Sequence, residues 1–179
     1  MSGQVAIWRH LLPAILLVAV AGCGTKAKPV ANFSLTSSAF QNGGAIPQQF
    51  TCDGGNNRPA LHWSTPPSGT RSFALIVDDP DAPGGTFHHW GVYDIPGGLR
   101  ALDAETLPGH SAISDVNKPG YFGPCPPKGE QPHHYRFKLY ALDVSTLDVG
   151  ADYRIRNVEA QGLKHRVGRA ELVGIYQRR

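Results

Sequence analysis

The chain has 179 residues, with 17 Lys and Arg against 14 Asp and Glu, and a formal charge of +3. That length supports one domain with a sizeable core rather than two. No basic block stands out; Arg154 with Arg156 and Arg178 with Arg179 read as solvated faces, so nucleic acid is not an expected partner. The 21 glycines and 15 prolines are spread without a repeat period, which fits a turn-rich, mainly β protein.

At the N-terminus, Arg9 and His10 precede an apolar run over 11–21. The run is shorter than the roughly 18–20 residues that span a bilayer and suits a signal-peptide core. Val20-Ala21-Gly22-Cys23 resembles a bacterial lipobox, in which small residues precede a cysteine that is acylated and becomes the new N-terminus. The expected organisation is a lipoprotein-type signal peptide over 1–22, the lipid-attachment Cys23 and a tether over 23–31, and a folded domain over 32–179. Acyl chains at Cys23 would hold the domain on the extracytoplasmic side of a membrane without spanning it, each buried CH₂ contributing about 0.8 kcal/mol. An ordinary cleaved signal with an incidental cysteine is the alternative. Cys52 and Cys125 remain, and export to an oxidising compartment permits a disulfide between them. Two unbridged thiols are the other reading.

Within the domain, 33–36 reads as a weak strand, 38–57 as turn chemistry, and 61–64 as a short strand. Residues 73–77 form a run apolar on both faces, as in a strand interior to a layered sheet. It ends in Asp78 and Asp79, and period-two alternation puts Asp79 on the Phe73, Leu75 and Val77 side. A carboxylate there is costly unless hydrogen-bonded. A turn-forming loop through Asp81 and Pro83 leads to Phe87, His88 and His89, then to a strand over 90–95. Residues 99–120 carry too few apolar side chains to assign beyond a loop with a helical turn.

The stiff loop through Pro124, Cys125, Pro126 and Pro127 enters the cleanest alternation in the chain, 133–142. His133, Tyr135, Phe137, Leu139 and Ala141 share one face; His134, Arg136 and Lys138 share the other and belong in water. A helix is predicted over 157–167 with Asn157 as its N-cap, and a closing strand over 171–176.

Two clusters thus place Asp79 with Asp81 and His89, and His133 with Tyr135, at strand ends. If the strands are neighbours these groups converge on a small anion-binding pocket, imidazole N–H and phenol O–H donating to ligand oxygens. Adjacent His88 and His89 face opposite sides, and no His-x-x-x-His or Cys-x-x-Cys spacing occurs, so neither a metal nor another cofactor is expected. No Gly-x-Ser-x-Gly elbow or phosphate loop occurs, and no nucleophile, base and oxyanion donor assemble, so an enzyme is not expected.

The two clusters, Asp79-Pro80-Asp81-Ala82-Pro83 with His88-His89-Trp90 and the 123–129 loop running into His133-His134-Tyr135, resemble the signature regions of the phosphatidylethanolamine-binding protein family. The likeness is strongest to its bacterial, Raf-kinase-inhibitor-like branch. The resemblance implies a large antiparallel sheet, a smaller second sheet and a few peripheral helices. It implies a pocket for a small anionic ligand or phospholipid headgroup, using Asp79, Asp81, His89, His133 and Tyr135, with Pro126 and Pro127 as a wall and Pro83 and Trp90 nearby. His134 stands where most members carry Arg, so an outer-face ion pair is expected to be lost, and Phe87 replaces a Trp of eukaryotic members. The expected function is a membrane-tethered binding protein that does not act as an enzyme. An inhibitor of a kinase or protease partner is the alternative, and a hydrolase acting through His89 or His133 a second. A homodimer is one admitted assembly.

Overall fold

The computed structural model describes residues 1–3 and 31–179. Of the expected signal peptide only residues 1–3 are described; Cys23 and all but the last residue of the expected tether lie outside the described residues. The elements in chain order are β1 (Ala31–Asn32), β2 (Leu35–Ser37), β3 (Gly44–Ala45), a 3₁₀ turn (Gln48–Phe50), β4 (Leu61–Trp63), β5 (Ser72–Asp79), β6 (Phe87–Pro96), β7 (Ala101–Leu102), β8 (His110–Ser111), β9 (His133–Leu142), α1 (Ile155–His165) and β10 (Arg166–Tyr176). Ala31, assigned above to the tether, already pairs with Gly168 in the sheet.

Seven strands make the large sheet, in the order β1-β10-β9-β5-β6-β8 with β3 also on β10; β2, β4 and β7 make the small one. The central pairs are antiparallel, but β1 and β3 lie parallel to β10, so the large sheet is mixed rather than wholly antiparallel. Among the described residues a single α-helix replaces the few that the resemblance implied.

Every residue of β5 is buried, because both of its faces are covered. Phe73, Leu75 and Val77 pack with Leu61 and Trp63 of the small sheet and with Phe137 and Leu139 of β9. Ala74 and Ile76 pack on the other side with Tyr140, Leu142, and Ile155 and Val158 of α1. The result is three layers, with β5 and β9 at the centre of the middle one.

Covering by α1 corrects the reading of Lys138. It is buried rather than in water, since Glu159 of α1 reaches over it and Asp78 lies beside it. Of its face of β9, only His134 at the entry end is exposed. The helix itself starts at Ile155, and Asn157 is not its cap. The entry is fixed by the chain pairing of Ile113 with Arg154, and Asn157 donates its side-chain amide back to the Val149 and Asp152 carbonyls. β10 follows α1 directly and is 11 residues long, so the strand predicted over 171–176 is its second half. The 99–120 segment holds the two-residue strands β7 and β8 and no helix.

One irregularity positions the site. Between β5 and β6, Asp78 faces His88 and Val77 faces Trp90, so the register slips by one residue and His89 is the extra residue of a β-bulge. The bulge puts His89 and Trp90, consecutive in sequence, on the small-sheet side of the large sheet, while His88 goes to the α1 side.

Candidate binding pocket

Three neighbouring strands bring their polar ends together: Asp79 closes β5, His89 sits in the β6 bulge, and His133 opens β9. These side chains line a cavity of about 310 Å³ whose walls are Ala82 and Pro83 from one loop, Phe87 from β6, and Phe122, Cys125, Pro126 and Pro127 from another. Two prolines in succession make that second wall stiff. A Cys52–Cys125 disulfide with Cα atoms 5.4 Å apart ties it to the 48–57 segment, and the Cys52 N–H donates to the Pro124 carbonyl. Of the two readings of these cysteines, the bridged one is therefore correct.

His133 is held from both sides. Its Nδ1 lies 2.7 Å from Asp79 Oδ2 and its Nε2 3.1 Å from Glu130 Oε2. Burial alone would lower its pKa, but the hydrogen bond and charge of Asp79, then those of Glu130, outweigh burial and raise it above the ordinary value. His133 thus stays an imidazolium to a higher pH than a free histidine. The second oxygen of Asp79 accepts the main-chain N–H of Asp81 at 2.9 Å.

His89 is in a different state. Its Nδ1 lies 3.0 Å from the Phe122 carbonyl, and its ring stacks on Phe122 with centroids 5.6 Å apart and meets Tyr135 edge-on. Burial dominates over the Phe122 carbonyl and the Asp79 charge and lowers its pKa, so the ring gives up its proton at a lower pH than a free histidine.

The structure brings together Asp79, His89, His133, Pro83, Pro126 and Pro127. It does not bring in Asp81, Tyr135 or Trp90. Asp81 turns outward, where Oδ2 accepts both the main-chain N–H and Nδ1 of His134, each at 2.8 Å. A hydrogen bond between His134 and Asp81 therefore stands on the outer face where the loss of an ion pair was expected. Tyr135 is 0% exposed and meets His89 edge-on; its buried hydroxyl completes no hydrogen bond among the described residues, although Asp79 and the Cys125 main chain lie beside it. Burial first, then the Asp79 charge, pushes its pKa up, so the phenol keeps its proton. Trp90 packs edge-on against Tyr121 and borders a separate depression with Asn56 and Arg58. Sequence reasoning missed Phe122 and Glu130. Phe122 falls between the unassigned 99–120 segment and the proline loop, where no motif marks it, and nothing in local pattern marks a glutamate three residues before His133 as its partner.

On the opposite face of the large sheet, Arg136 clamps Asp78 through Nε and Nη2 at 2.8 and 3.2 Å, and Lys138 Nζ lies 2.6 Å from the same carboxylate. Lys138 also donates to Glu159, which accepts from Tyr140 Oη at 2.7 Å. His88 lies 3.0 Å from Asp115 and 3.9 Å from Glu159. Among the described residues the one trio of metal-type ligands close enough to share an ion is Asp78, His88 and Glu159, and the Lys138 ammonium is already set between two of them. This is an internally neutralised charge network that joins α1 to the sheet.

The family model described as phosphatidylethanolamine-binding protein matches residues 36–177, from β2 through the whole of β10. The chain belongs to the phosphatidylethanolamine-binding protein family. Within that family it is similar to a UPF0098 protein of Aquifex aeolicus (strain VF5), with 43% identity over 148 residues, covering 79% of this chain and 86% of the relative. It is equally similar to LppC of Mycobacterium tuberculosis, which carries lipoprotein in its name, with 43% identity over 157 residues covering 86% of this chain and 76% of the other. Among solved structures, E. coli YbcL, described as a new member of the mammalian PEBP family, aligns with a TM-score of 0.77 at 32% identity, covering 83% of this chain and 100% of that one.

Proposed function

We propose that this protein is a membrane-tethered binder of small oxyanions, phosphate or a phosphate-bearing headgroup, in the cavity between Asp79, His89 and His133. The observation that carries the reading is His133 itself. A buried aspartate fixes its orientation and charge through Nδ1, and its Nε2 is turned toward a carboxylate oxygen, that of Glu130. An imidazolium so held is a preorganised donor to an oxyanion, and the apolar walls strengthen the attraction by excluding water. Glu130 is half-exposed and lines the adjacent surface depression that shares His133, so an incoming anion can displace it from Nε2 at little cost. The one sulfur nucleophile on the lining, Cys125, is committed to the disulfide, which favours binding over covalent catalysis. Tethering rests on the lipobox reading of Val20 to Cys23, supported by the lipoprotein name of LppC.

Isothermal calorimetry with inorganic phosphate tests the reading. His133→Gln, which keeps a neutral donor beside Asp79 but loses the charge, should bind phosphate at least ~30-fold more weakly than the wild type, about 2 kcal/mol. Glu130→Ala, which removes the competing carboxylate, should bind severalfold more tightly. A wild type that takes up no phosphate, or a His133→Gln variant that binds it unchanged, would contradict the proposal.

A further inference from the structure

The chain enters the folded domain at Ala31, which pairs with Gly168, and β1 runs parallel to β10. The start of β10 faces the end of β9, Arg166 opposite Leu142, while its last residue, Tyr176, faces His133. The point of entry and the cavity therefore lie at opposite ends of the large sheet. From Gly168 to Tyr176, β10 runs eight residues, about 26 Å at the usual strand rise. Cys23 to Ala31 is also eight residues, a reach of at most about 28 Å. A tether of that reach allows the domain to stand on its membrane or to lie over on its side, so length alone does not set the orientation.

Charge does. At the entry end Arg71 precedes β5 and donates its main-chain N–H to Leu142, Arg100 donates to the Gly97 and Leu99 carbonyls just past β6, and Lys164 lies in the last turn of α1. All three are exposed, and Arg166, half-buried over the Tyr140 ring, adds a fourth positive charge. Leu163, one of the few large apolar side chains left exposed, stands beside them, next to the Gly162 that approaches Leu142. The carboxylates here are Asp143, which lies by His165, and Asp94, which accepts the Leu147 N–H. Arg169 is matched by Glu171. Lys26 and Lys28 of the tether join the domain at this same end. The cavity end is balanced instead, with Asp53, Asp81 and Glu130 offsetting Lys128, Arg178 and Arg179.

We propose, on the tether reading above, that the end of the domain carrying Arg71, Arg100, Lys164 and Arg166 is a docking surface for an anionic bilayer, with Leu163 entering the headgroup layer. Each Lys or Arg close to such a surface strengthens attachment by roughly fivefold. The attraction fades over a Debye length of about 8–10 Å, so these groups act only when their end faces the lipid. The domain then stands upright and holds the cavity about 26 Å from the leaflet that anchors it. Its ligand comes from the surrounding solution or from a facing surface, not from that leaflet.

The test places a fluorophore at one end or the other of the full acylated chain, by Ser145→Cys beyond β9 or Gln131→Cys beside the cavity. Both positions are exposed, and the bridge of Cys52 to Cys125 leaves the new thiol free for labelling. The chain is reconstituted on phosphatidylcholine vesicles with or without phosphatidylglycerol, and quenching by a headgroup nitroxide lipid is read. With phosphatidylglycerol the Ser145 label should be quenched at least ~5-fold more strongly than the Gln131 label. The contrast should fall to within about twofold on phosphatidylcholine alone, in high salt, and in the triple variant Arg71→Gln, Arg100→Gln, Lys164→Gln. Equal quenching on the anionic vesicles, stronger quenching at Gln131, or a contrast undiminished in the triple variant would overturn this proposal and leave the tether standing. A chain that floats with neither vesicle would overturn both.

Discussion

Replacing Lys138 by Met should destabilise the protein by about 3 kcal/mol in urea unfolding at pH 7, more than any surface substitution. Lys138 is buried and lies between Asp78 and Glu159. Methionine fills the same space, so the loss comes from leaving Asp78 with Arg136 alone and Glu159 with the weaker help of Tyr140 and His88. Removing one partner of a buried ion pair typically costs about 3–5 kcal/mol, because the other charge stays desolvated; the surviving Arg136 clamp puts the expectation at the lower end. The same network makes stability acid-sensitive. Burial alone would raise the Glu159 pKa, but His88 and Lys138 hold it at about 2, below its ordinary 4.5. Its folded-state value is the lower one, so its contribution is complete above about pH 4.5 and is lost as pH falls toward 2. Lys138→Met should therefore unfold in acid with a shallower pH dependence than the wild type. A loss below about 1 kcal/mol would mean that the ammonium is not what holds these carboxylates.

Removing the disulfide is the second large effect. Cys52 and Cys125 are 73 residues apart in sequence, and constraining a loop of that length in the unfolded chain is worth about 4 kcal/mol in the chain-entropy treatment. The double variant Cys52→Ala, Cys125→Ala should be less stable by about 2–4 kcal/mol in urea, the range typical of native bridges. The consequence is also local, because Cys125 precedes the Pro126–Pro127 wall of the cavity and its bridge, with the Cys52 N–H bond to Pro124, anchors that wall to the 48–57 segment. Phosphate affinity should fall in the variant while the Asp79–His133 pair remains. Unchanged stability on reduction, followed by urea melts with and without thiol, would show that hydrogen bonds alone hold the two segments together.

The middle of the fold is plain in the sequence because its causes are local. An unbroken apolar run gives β5, strict alternation gives β9, and both align in the structure over the residues expected. What the sequence conceals is decided by partners distant in the chain. Strands of two residues such as β7 and β8 exist only through pairing with β4 and β6. Asn157 has the chemistry of a cap, but the bridge of Ile113 to Arg154 starts the helix earlier. Lys138 reads as a solvated residue until Glu159 is seen above it, although Tyr140 and Leu142 farther along the same face hinted at a cover.

The site divides along the same line. Asp79, His89 and His133 are legible from their motifs and from strand alternation, and they meet in one cavity. Asp81 is misplaced because alternation ends at Pro80, after which the turn sends its carboxylate to His134. Trp90 shares the His89 side only because a bulge breaks period two there, and it packs on Tyr121 away from the cavity; a bulge leaves no mark in composition. Tyr135 lies on the predicted face but is wholly buried beside His89, and Glu130 reaches His133 from a loop whose course no local pattern marks.

Adjacent histidines on opposite faces supply the most direct check of the central claim, that Asp79, His89 and His133 form one cradle for an oxyanion. His88 and His89 differ by one position, yet only His89 lines the cavity, and His88 is held by Asp115 on the α1 side. The measurement is a titration with inorganic phosphate at pH 6 followed by the imidazole Cε1–H resonances of each histidine. Resonances of His89 and His133 should move together to a common saturation while that of His88 stays in place. Movement of His88 alone, or no movement of His133 at saturating phosphate, would contradict it.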